Sequence, residues 1–415
     1  MDFKKFLNFL YIVEDFPPAG MQLSIRALEI SKRIIKKNIF PIILAKGLIR
    51  YQNFNYSLIN EIPASLQIYR TSFIKFKNKV ILKFLDFTIK LDFYLEWIPF
   101  GYLKAKRILR KDKNIKFIYS SGPPFYIHIL GYLLKRKFNV PLVLEYRDPW
   151  SFNPYDKKFE RWLSKKINLV LERKILRSAN LVITISPALT LFLKKKFPFI
   201  KNQLIVSIPN GLNLFNLVDN LKNKNNQEIV FTFAGTIYRK RSIVPLFEII
   251  SHLKKENFFE DFKFLIKIFG NFNKKKLESL IRILKIEDLI LLGDFIPRSR
   301  ALIEISKSNM AIHVGEQINY PTIAFKVWDY LGCKKKILYL GSENSYTAEF
   351  LKKNNFGIVI PINNLNKGKN LLKKLINDIK DNKFTGIIDE KQLLKYTWDY
   401  RATKFEQAIT KYFLI

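Results

Sequence analysis

The sequence has very few metal-binding or redox-active side chains. Its 415 residues include one cysteine, Cys333, and three histidines, His128, His252 and His313. One cysteine cannot form an intramolecular disulfide or a cysteine zinc cluster, and the histidines are too far apart for a zincin-type pair. We therefore expect no structural metal and no cofactor, and a lone cysteine suits a reducing compartment.

Long apolar runs are also absent. No stretch approaches the roughly 18 apolar residues that a membrane-spanning helix needs. Residues 1–13 place two lysines before apolar residues, as a signal peptide does, but Asn8 interrupts the run and no small-residue cleavage site follows. We interpret this segment as the first strand of an α/β domain and expect a cytoplasmic protein, with peripheral attachment to the inner membrane face as an alternative.

Acidic residues are scarce relative to basic ones. The chain has 35 Asp and Glu against 72 Lys and Arg, which gives a formal net charge of +37. Such a surplus favours anions: nucleic acid, an anionic membrane surface or phosphate-bearing small molecules. Codon use in an AT-rich genome would also raise the lysine content, so the charge alone identifies no partner.

Apolar β-branched runs alternate with helical patterns along the whole chain, which predicts parallel sheets covered on both faces. Strands are expected at 9–13, 39–44, 117–120, 142–146, 181–185 and 204–208, and again at 228–234, 264–269, 289–292, 310–314, 336–339 and 357–360. The polar stretch 219–227 separates the two series. We predict an α/β fold of two doubly wound, Rossmann-like domains, 1–215 and 228–396, with a terminal helix in 397–415 that packs back on the first domain.

Ligands of doubly wound domains bind at the carboxyl ends of the strands, so the loops there hold the candidate site residues. In the first domain these are Gly20, Gly122 and the pair Arg147 and Asp148. Glycine allows tight turns before helix starts. An Arg–Asp pair after a buried strand costs desolvation unless it serves a site, so we predict that Asp148 belongs to a site, with a structural ion pair as the alternative. We expect His128 to be a packed core residue.

In the second domain the first strand ends at Gly235 and is followed by three cations, Arg239, Lys240 and Arg241. A glycine with nearby cations and a helix start can hold a diphosphate, although a solvated basic turn is the alternative. Near 322 a small-residue loop enters another helix. There Thr322 and Lys326 are candidate phosphate contacts, and Asp329 is a candidate to accept the two hydroxyls of a ribose.

Taken in order, these loops resemble the family 4 glycosyltransferases of the GT-B architecture, in which two Rossmann-like domains face a cleft. The segments that carry the resemblance are Phe16–Pro18, Ser121–Pro124, Arg147–Trp150, Ile208–Gly211, Gly235–Tyr238 and Lys326–Leu331. The resemblance implies a retaining, metal-independent hexosyltransferase whose C-terminal domain holds a UDP- or GDP-type nucleotide sugar and whose N-terminal domain holds the acceptor. The family marks its donor site with two Glu residues eight positions apart; here Asp329 stands at the second position and Pro321 at the first, so the pair is broken.

The leading interpretation is a glycosyltransferase of cell-surface polysaccharide synthesis that acts on a glycan or lipid-linked acceptor. In this interpretation we predict that Asp148 positions the acceptor hydroxyl or acts as general base, with bracing of its loop as the alternative. A nucleotide-sugar epimerase of the same fold and a basic nucleic-acid-binding protein are the alternatives. The lysine runs are scattered and no nucleic-acid-binding motif is present, so no nucleic-acid partner is expected. For membrane attachment, the best candidate residues combine basic and aromatic side chains: Phe73, Lys75, Phe76, Lys77, Lys79, Lys83 and Phe84. An ordinary amphipathic helix packed on the core is the alternative for these residues.

Overall fold

The computed structural model describes residues 7–20, 22–48, 54–72, 97–153, 162–215, 228–237, 241–315 and 320–413. The chain forms two compact units. The first comprises residues 1–210 and 398–415, and the second comprises residues 211–397. No helix within the described ranges is both long and apolar enough to cross a membrane.

The first unit contains a parallel sheet of seven strands in the order β3-β2-β1-β4-β5-β6-β7. The strands are β1 (Leu7–Ile12), β2 (Ile39–Lys46), β3 (Gln67–Thr71), β4 (Ile115–Gly122), β5 (Leu142–Tyr146), β6 (Leu181–Thr184) and β7 (Ile205–Ser207). The helices between them are α1 (Gln22–Ile34), α2 (Ile98–Lys111), α3 (Tyr126–Phe138), α4 (Trp162–Ser178) and α5 (Pro187–Lys196).

The second unit contains a parallel sheet of six strands in the order β10-β9-β8-β11-β12-β13. The strands are β8 (Glu228–Ala234), β9 (Lys263–Phe269), β10 (Ile290–Leu292), β11 (Met310–Val314), β12 (Ile337–Gly341) and β13 (Gly357–Pro361). Its helices are α6 (Val244–Lys255), α7 (Lys274–Ile283), α8 (Arg298–Lys307), α9 (Phe325–Gly332), α10 (Tyr346–Lys353), α11 (Leu365–Lys380) and α12 (Glu390–Leu393). The terminal helix α13 (Trp398–Phe413) belongs to the first unit.

Helices cover both faces of the first sheet, because alternate side chains of a strand point to opposite faces. Leu10 and Ile12 of β1 share one apolar core with residues of α2, α3, α4 and α5. Phe9 faces the other way, and its ring centroid lies 6.1 Å from that of Phe405 in α13. Helix α1 packs beside α13 on that second face.

The predicted pair of doubly wound parallel sheets is confirmed. Three features were missed or misplaced. Strand β3 is an edge strand with no fully buried residue, so it lacks the apolar run that marks the others. The amphipathic helices α2, α5, α8, α10 and α11 were not predicted. The helix expected to start near Thr322 begins at Phe325, because the backbone of Ala324 is extended (φ −60°, ψ 141°).

Candidate functional site

Arg147 connects the two predicted loops at the carboxyl ends of β4 and β5. Its guanidinium donates to the carbonyl oxygens of Gly122, at 3.2 Å, and Pro123, and its backbone N–H donates to the Gly122 oxygen at 2.9 Å. A Cβ on Gly122 would lie 2.9 Å from Nε2 of His128, so this position needs glycine. The side chain of Arg147 is buried, and that burial lowers its pKa although Glu145 opposes the shift. Arg147 therefore holds the Ser121–Pro124 loop in place.

Asp148 follows Arg147 at the end of β5 and is half-buried. Its negative charge acts on the Arg147 guanidinium and favours the charged form of that group. The expected proximity of the two charges is thus present, while the directed hydrogen bonds of Arg147 go to backbone carbonyls. The assignment of Asp148 to acceptor positioning stays a prediction.

Sequence reasoning missed a buried network beneath these loops, centred on Arg26 and Glu145. Arg26 of α1 contacts Glu145 of β5 through Nη2 and Oε1 at 2.6 Å, and both side chains are almost fully buried. Tyr119 donates to the same carboxylate at 2.5 Å. Burial opposes the charge of Glu145, but the charge and hydrogen bonds of Arg26 outweigh it and lower the pKa of the carboxyl. Arg26 also donates to Oδ1 of Asn210 at 3.0 Å, which gives the Ile208–Gly211 segment a structural role.

A second buried carboxylate supports the Arg147–Trp150 loop from α4. Glu172 is fully buried and accepts a hydrogen bond from the backbone N–H of Ser151 at 3.0 Å. Burial raises its pKa to about 7, against the hydrogen bonds from Ser151 and Tyr146. His128 is also fully buried, as expected, and burial lowers its pKa to about 3, so it is neutral at physiological pH.

The loop after β1 carries Gly20 and adjoins two exposed aromatic rings. Ala19 forms an antiparallel bridge with Phe54, and the backbone N–H of Asn55 donates to the Pro18 oxygen at 2.8 Å. The rings of Phe54 and Tyr56 stack at 5.6 Å between centroids and are 40% and 65% exposed. Gly20 lies between that bridge and the start of α1.

In the second unit, two glycines pack against each other at the ends of β8 and β9. Gly235 has φ of 140° and Gly270 has φ of 143°, values that favour glycine. A Cβ on Gly270 would lie 1.8 Å from the Gly235 oxygen, and a Cβ on Gly235 would lie 1.8 Å from Nζ of Lys326. The absence of a side chain at Gly235 therefore lets the Lys326 side chain pack directly against the backbone. Sequence reasoning missed Gly270.

Lys326 of α9 lies directly against this glycine turn. Its Nζ is 3.5 Å from the Thr236 oxygen and 5.2 Å from the ring centroid of Phe233. Burial and, next, the positive charge of Arg241 lower the pKa of Lys326 to about 8, against the attraction of Asp329. His313 of β11 is buried nearby, and its pKa is well below the ordinary value through burial and the charges of Arg241 and Lys326. The turn thus holds two mutually repelling cations, an arrangement that an anion would stabilise.

Asp329, one turn after Lys326 on α9, forms an ion pair with a residue of a different helix. Both of its carboxylate oxygens accept hydrogen bonds from Arg298 of α8, at 2.6 and 3.1 Å. Sequence reasoning missed Arg298, since nothing local links positions 31 residues apart. Each oxygen keeps a further lone pair, so ribose binding by Asp329 stays a prediction. Thr322 lies in the loop before α9 and is half-buried.

A pocket of about 430 Å³ lies at the ends of β9 and β10 in the same unit. It is lined by the apolar residues Phe269, Leu291, Ile296 and Pro297 and by the charged residues Lys267, Arg300 and Glu304. Its volume is within the range of small-molecule sites.

Some predicted residues lie outside the described ranges. These are Arg239 and Lys240, the polar stretch at 219–227, and the proposed membrane-contact residues Phe73, Lys75, Phe76, Lys77, Lys79, Lys83 and Phe84.

Comparison with known proteins supports the resemblance seen in the loops. Residues 74–214 match the model of Glycosyltransferase Family 4. A search of curated protein sequences gives no significant match. The family resemblance is therefore confirmed at the sequence level for residues 74–214, nearly all of which belong to the first unit.

Solved structures show the same fold along almost the whole chain. A sucrose-phosphate synthase from Thermosynechococcus elongatus has a TM-score of 0.67 at 12% identity and covers 98% of this chain and 99% of its own. TarM has a TM-score of 0.66 at 12% identity, with coverage of 98% and 99%, and a structure of a TarM mutant from S. aureus contains UDP. A UDP-N-acetylglucosamine 2-epimerase from Listeria monocytogenes has a TM-score of 0.59 at 13% identity, with coverage of 98% and 97%. The chain has the GT-B fold of glycosyltransferases.

Proposed function

We propose that this protein transfers a hexosyl group from a nucleoside-diphosphate sugar to a glycan or lipid-linked acceptor. The observation that carries the proposal is the glycine turn at Gly235, where Lys326 lies against the backbone and the positive charge of Arg241 acts on Lys326. A diphosphate is the anion that leaves when a nucleotide sugar reacts. Cations fixed at that position lower the free energy of the transition state more than that of the bound substrate, because charge develops as the bond breaks.

The rest of the donor has candidate contacts in the second unit. The pocket at Phe269 and Leu291 has the volume and apolar lining that a nucleobase requires. Asp329 is the candidate for the ribose hydroxyls, and the bidentate contact with Arg298 fixes its orientation. Thr322 precedes α9, whose first backbone N–H groups are suited to a phosphate together with Lys326. UDP-sugars are the first donors to test, because a TarM structure contains UDP.

The acceptor is assigned to the first unit. Arg147 fixes the loop that carries Asp148, and the half-buried carboxylate of Asp148 can accept a hydrogen bond from an acceptor hydroxyl. The stacked rings of Phe54 and Tyr56 beside the Gly20 loop offer an exposed apolar surface of the kind on which sugar rings stack. In this scheme Asp148 orients the hydroxyl, and the proton passes to Asp148 or to the departing phosphate.

Three finer points complete the proposal. Retention of the anomeric configuration and independence from a metal follow from the family 4 resemblance. A role in cell-surface polysaccharide synthesis, at the cytoplasmic face of the membrane, follows from that resemblance together with the strong positive charge. Each can be measured once a donor is known.

A two-step experiment tests the function. A thermal-shift screen with UDP-, GDP-, ADP- and dTDP-sugars identifies the donor, because a ligand that binds the folded state raises the melting temperature. Release of nucleoside diphosphate from that donor is then measured with and without glycan acceptors, for the wild type, for Lys326→Ala and for Lys275→Ala. Lys275 is an exposed lysine of α7 and serves as the matched control.

We expect Lys326→Ala to lose diphosphate release, and Lys275→Ala to release diphosphate like the wild type. Formation of an epimerised nucleotide sugar without transfer would instead assign the fold to an epimerase. No stabilisation by any nucleotide sugar, or equal activity of Lys326→Ala and the wild type, would contradict the proposal.

A further inference from the structure

Helices α2, α3, α4 and α5 carry charge of almost one sign. They contain sixteen Lys and Arg: five on α2, three on α3, five on α4 and three on α5. They contain one acidic residue, Glu172, which is fully buried. The outer surface of these helices therefore receives no carboxylate from their own residues. We call this surface the basic layer.

The basic composition of the chain does not explain this segregation. At the overall ratio of 72 basic to 35 acidic residues, sixteen cations would be accompanied by about eight acidic residues. Helices α6–α12 of the second unit contain eighteen Lys and Arg and seven Asp and Glu. On the opposite face of the first sheet, α1 and α13 contain six basic and three acidic residues.

The four helices pack on the same face of the first sheet. All four contribute residues to the same apolar core on one face of the sheet. Helices α2 and α3 approach closely at Gly101, where a Cβ would lie 2.9 Å from Leu130. Helix α4 reaches α3 through Lys174, whose Nζ lies 5.9 Å from the ring centroid of Tyr132.

Among the side chains that the structure describes, each helix of the layer also exposes an aliphatic one. These are Leu103, Leu133, Val170 and Leu191, which are 51%, 40%, 61% and 67% exposed. An exposed cation follows each at a spacing of three or four residues, which places it on the same side of its helix. These cations are Arg107, Arg136, Arg173 and Lys195.

We propose that the basic layer is a docking surface for an anionic lipid membrane. Cations attract the phosphate groups of anionic lipids, and aliphatic side chains gain from insertion between headgroups. Binding to a nucleic-acid duplex uses the cations alone, because phosphate contacts require no aliphatic neighbours. The paired aliphatic and cationic residues on all four helices therefore favour a lipid surface. The proposal deepens the membrane location given under the proposed function and assigns it to helices not previously considered.

The test is flotation of the full-length protein with phosphatidylcholine vesicles, with or without about one third phosphatidylglycerol. The layer variant combines Arg107→Glu, Arg136→Glu, Arg173→Glu and Lys195→Glu. The control variant makes the same change in net charge on α7 and α11 with Lys275→Glu, Lys276→Glu, Arg282→Glu and Lys374→Glu, all at exposed positions. A third variant, Leu133→Ser with Leu191→Ser, removes aliphatic surface and keeps every charge. Circular dichroism verifies folding.

The wild type is expected to bind only the vesicles with phosphatidylglycerol and to dissociate as salt increases. Each cation near an anionic surface contributes a factor of about five, so the loss of four cations alone should lower the affinity of the layer variant by a factor on the order of several hundred, and repulsion of the four glutamates should lower it further. The control variant should change little, because none of its four substitutions lies in the basic layer. The serine variant should bind more weakly than the wild type.

Equal losses in the layer and control variants would overturn the proposal, because net charge alone would then explain binding. Equal binding of the wild type to both kinds of vesicle, or no binding to either, would also overturn the proposal. Tighter binding to a random duplex than to the anionic vesicles, unchanged in the serine variant, would assign the layer to nucleic acid. No nucleotide sugar is present in these assays, so their outcome is independent of the test of transfer activity.

Discussion

The protonation state of Lys326 should control how tightly the protein binds a nucleoside diphosphate. Burial and the charge of Arg241 lower the pKa of this lysine from 10.5 to about 8. A bound diphosphate would favour the charged amine, so the complex keeps a proton that the free protein loses as pH rises. Affinity should therefore decrease as the pH passes through about 8.

The size of the effect follows from the titration of one group. With a pKa of about 8, roughly three quarters of the free protein carries the proton at pH 7.5 and roughly 3% does at pH 9.5. If the complex retains the proton over this range, affinity falls by about 25-fold. An ordinary exposed lysine, with a pKa near 10.4, would change affinity by only about 10% over the same interval.

Isothermal titration calorimetry with UDP, or with the diphosphate selected by the thermal-shift screen, measures the effect at pH 7.5, 8.5 and 9.5. Lys326→Ala should bind weakly with little pH dependence, and its kcat/KM should fall by a factor on the order of 10². Lys326→Arg keeps its charge throughout and should also lose the pH dependence. Lys275→Ala should behave like the wild type. Constant affinity of the wild type between pH 7.5 and 9.5 would refute the reasoning.

Three further predictions concern single carboxylates. Because the pKa of Glu172 rises from 4.5 to about 7 on folding, the folded state holds the proton more tightly, and stability should decrease by about 3 kcal/mol as pH rises from below 4.5 to above 7. Glu172→Gln should remove this loss, so its melting temperature relative to the wild type should be higher at pH 8 than at pH 5; a constant difference would show that Glu172 titrates normally. Asp148→Asn should bind the donor normally and transfer slowly, whereas reduced thermal stability with normal turnover would make Asp148 a residue that braces its loop. Asp329→Ala should weaken nucleotide binding more than it slows turnover of bound donor, and calorimetry that gives an unchanged Kd would remove Asp329 from the ribose site.

The fold could be predicted because its signals are local. Strands buried on both faces, such as Leu142–Tyr146 and Met310–Val314, are continuous apolar runs that are visible in any short window of sequence. The edge strand Gln67–Thr71 was missed because it is only partly covered and needs no such run. The loops after the strands were also found in advance, since the carboxyl edge of a parallel sheet follows from strand direction alone.

The partners of the site residues depended on the tertiary structure. Arg298 and Asp329 are 31 residues apart, and Arg26 and Glu145 are 119 apart, yet each pair forms a short ion pair. Gly270 is required because its backbone packs against Gly235 from a neighbouring strand, and neither residue marks the other in the sequence. The lowered pKa of Lys326 likewise needs both burial and Arg241, and these arise only when the end of β8 and the start of α9 come together. Residue type and periodicity are properties of a short window of chain, whereas burial and electrostatic coupling are properties of distances that only folding creates.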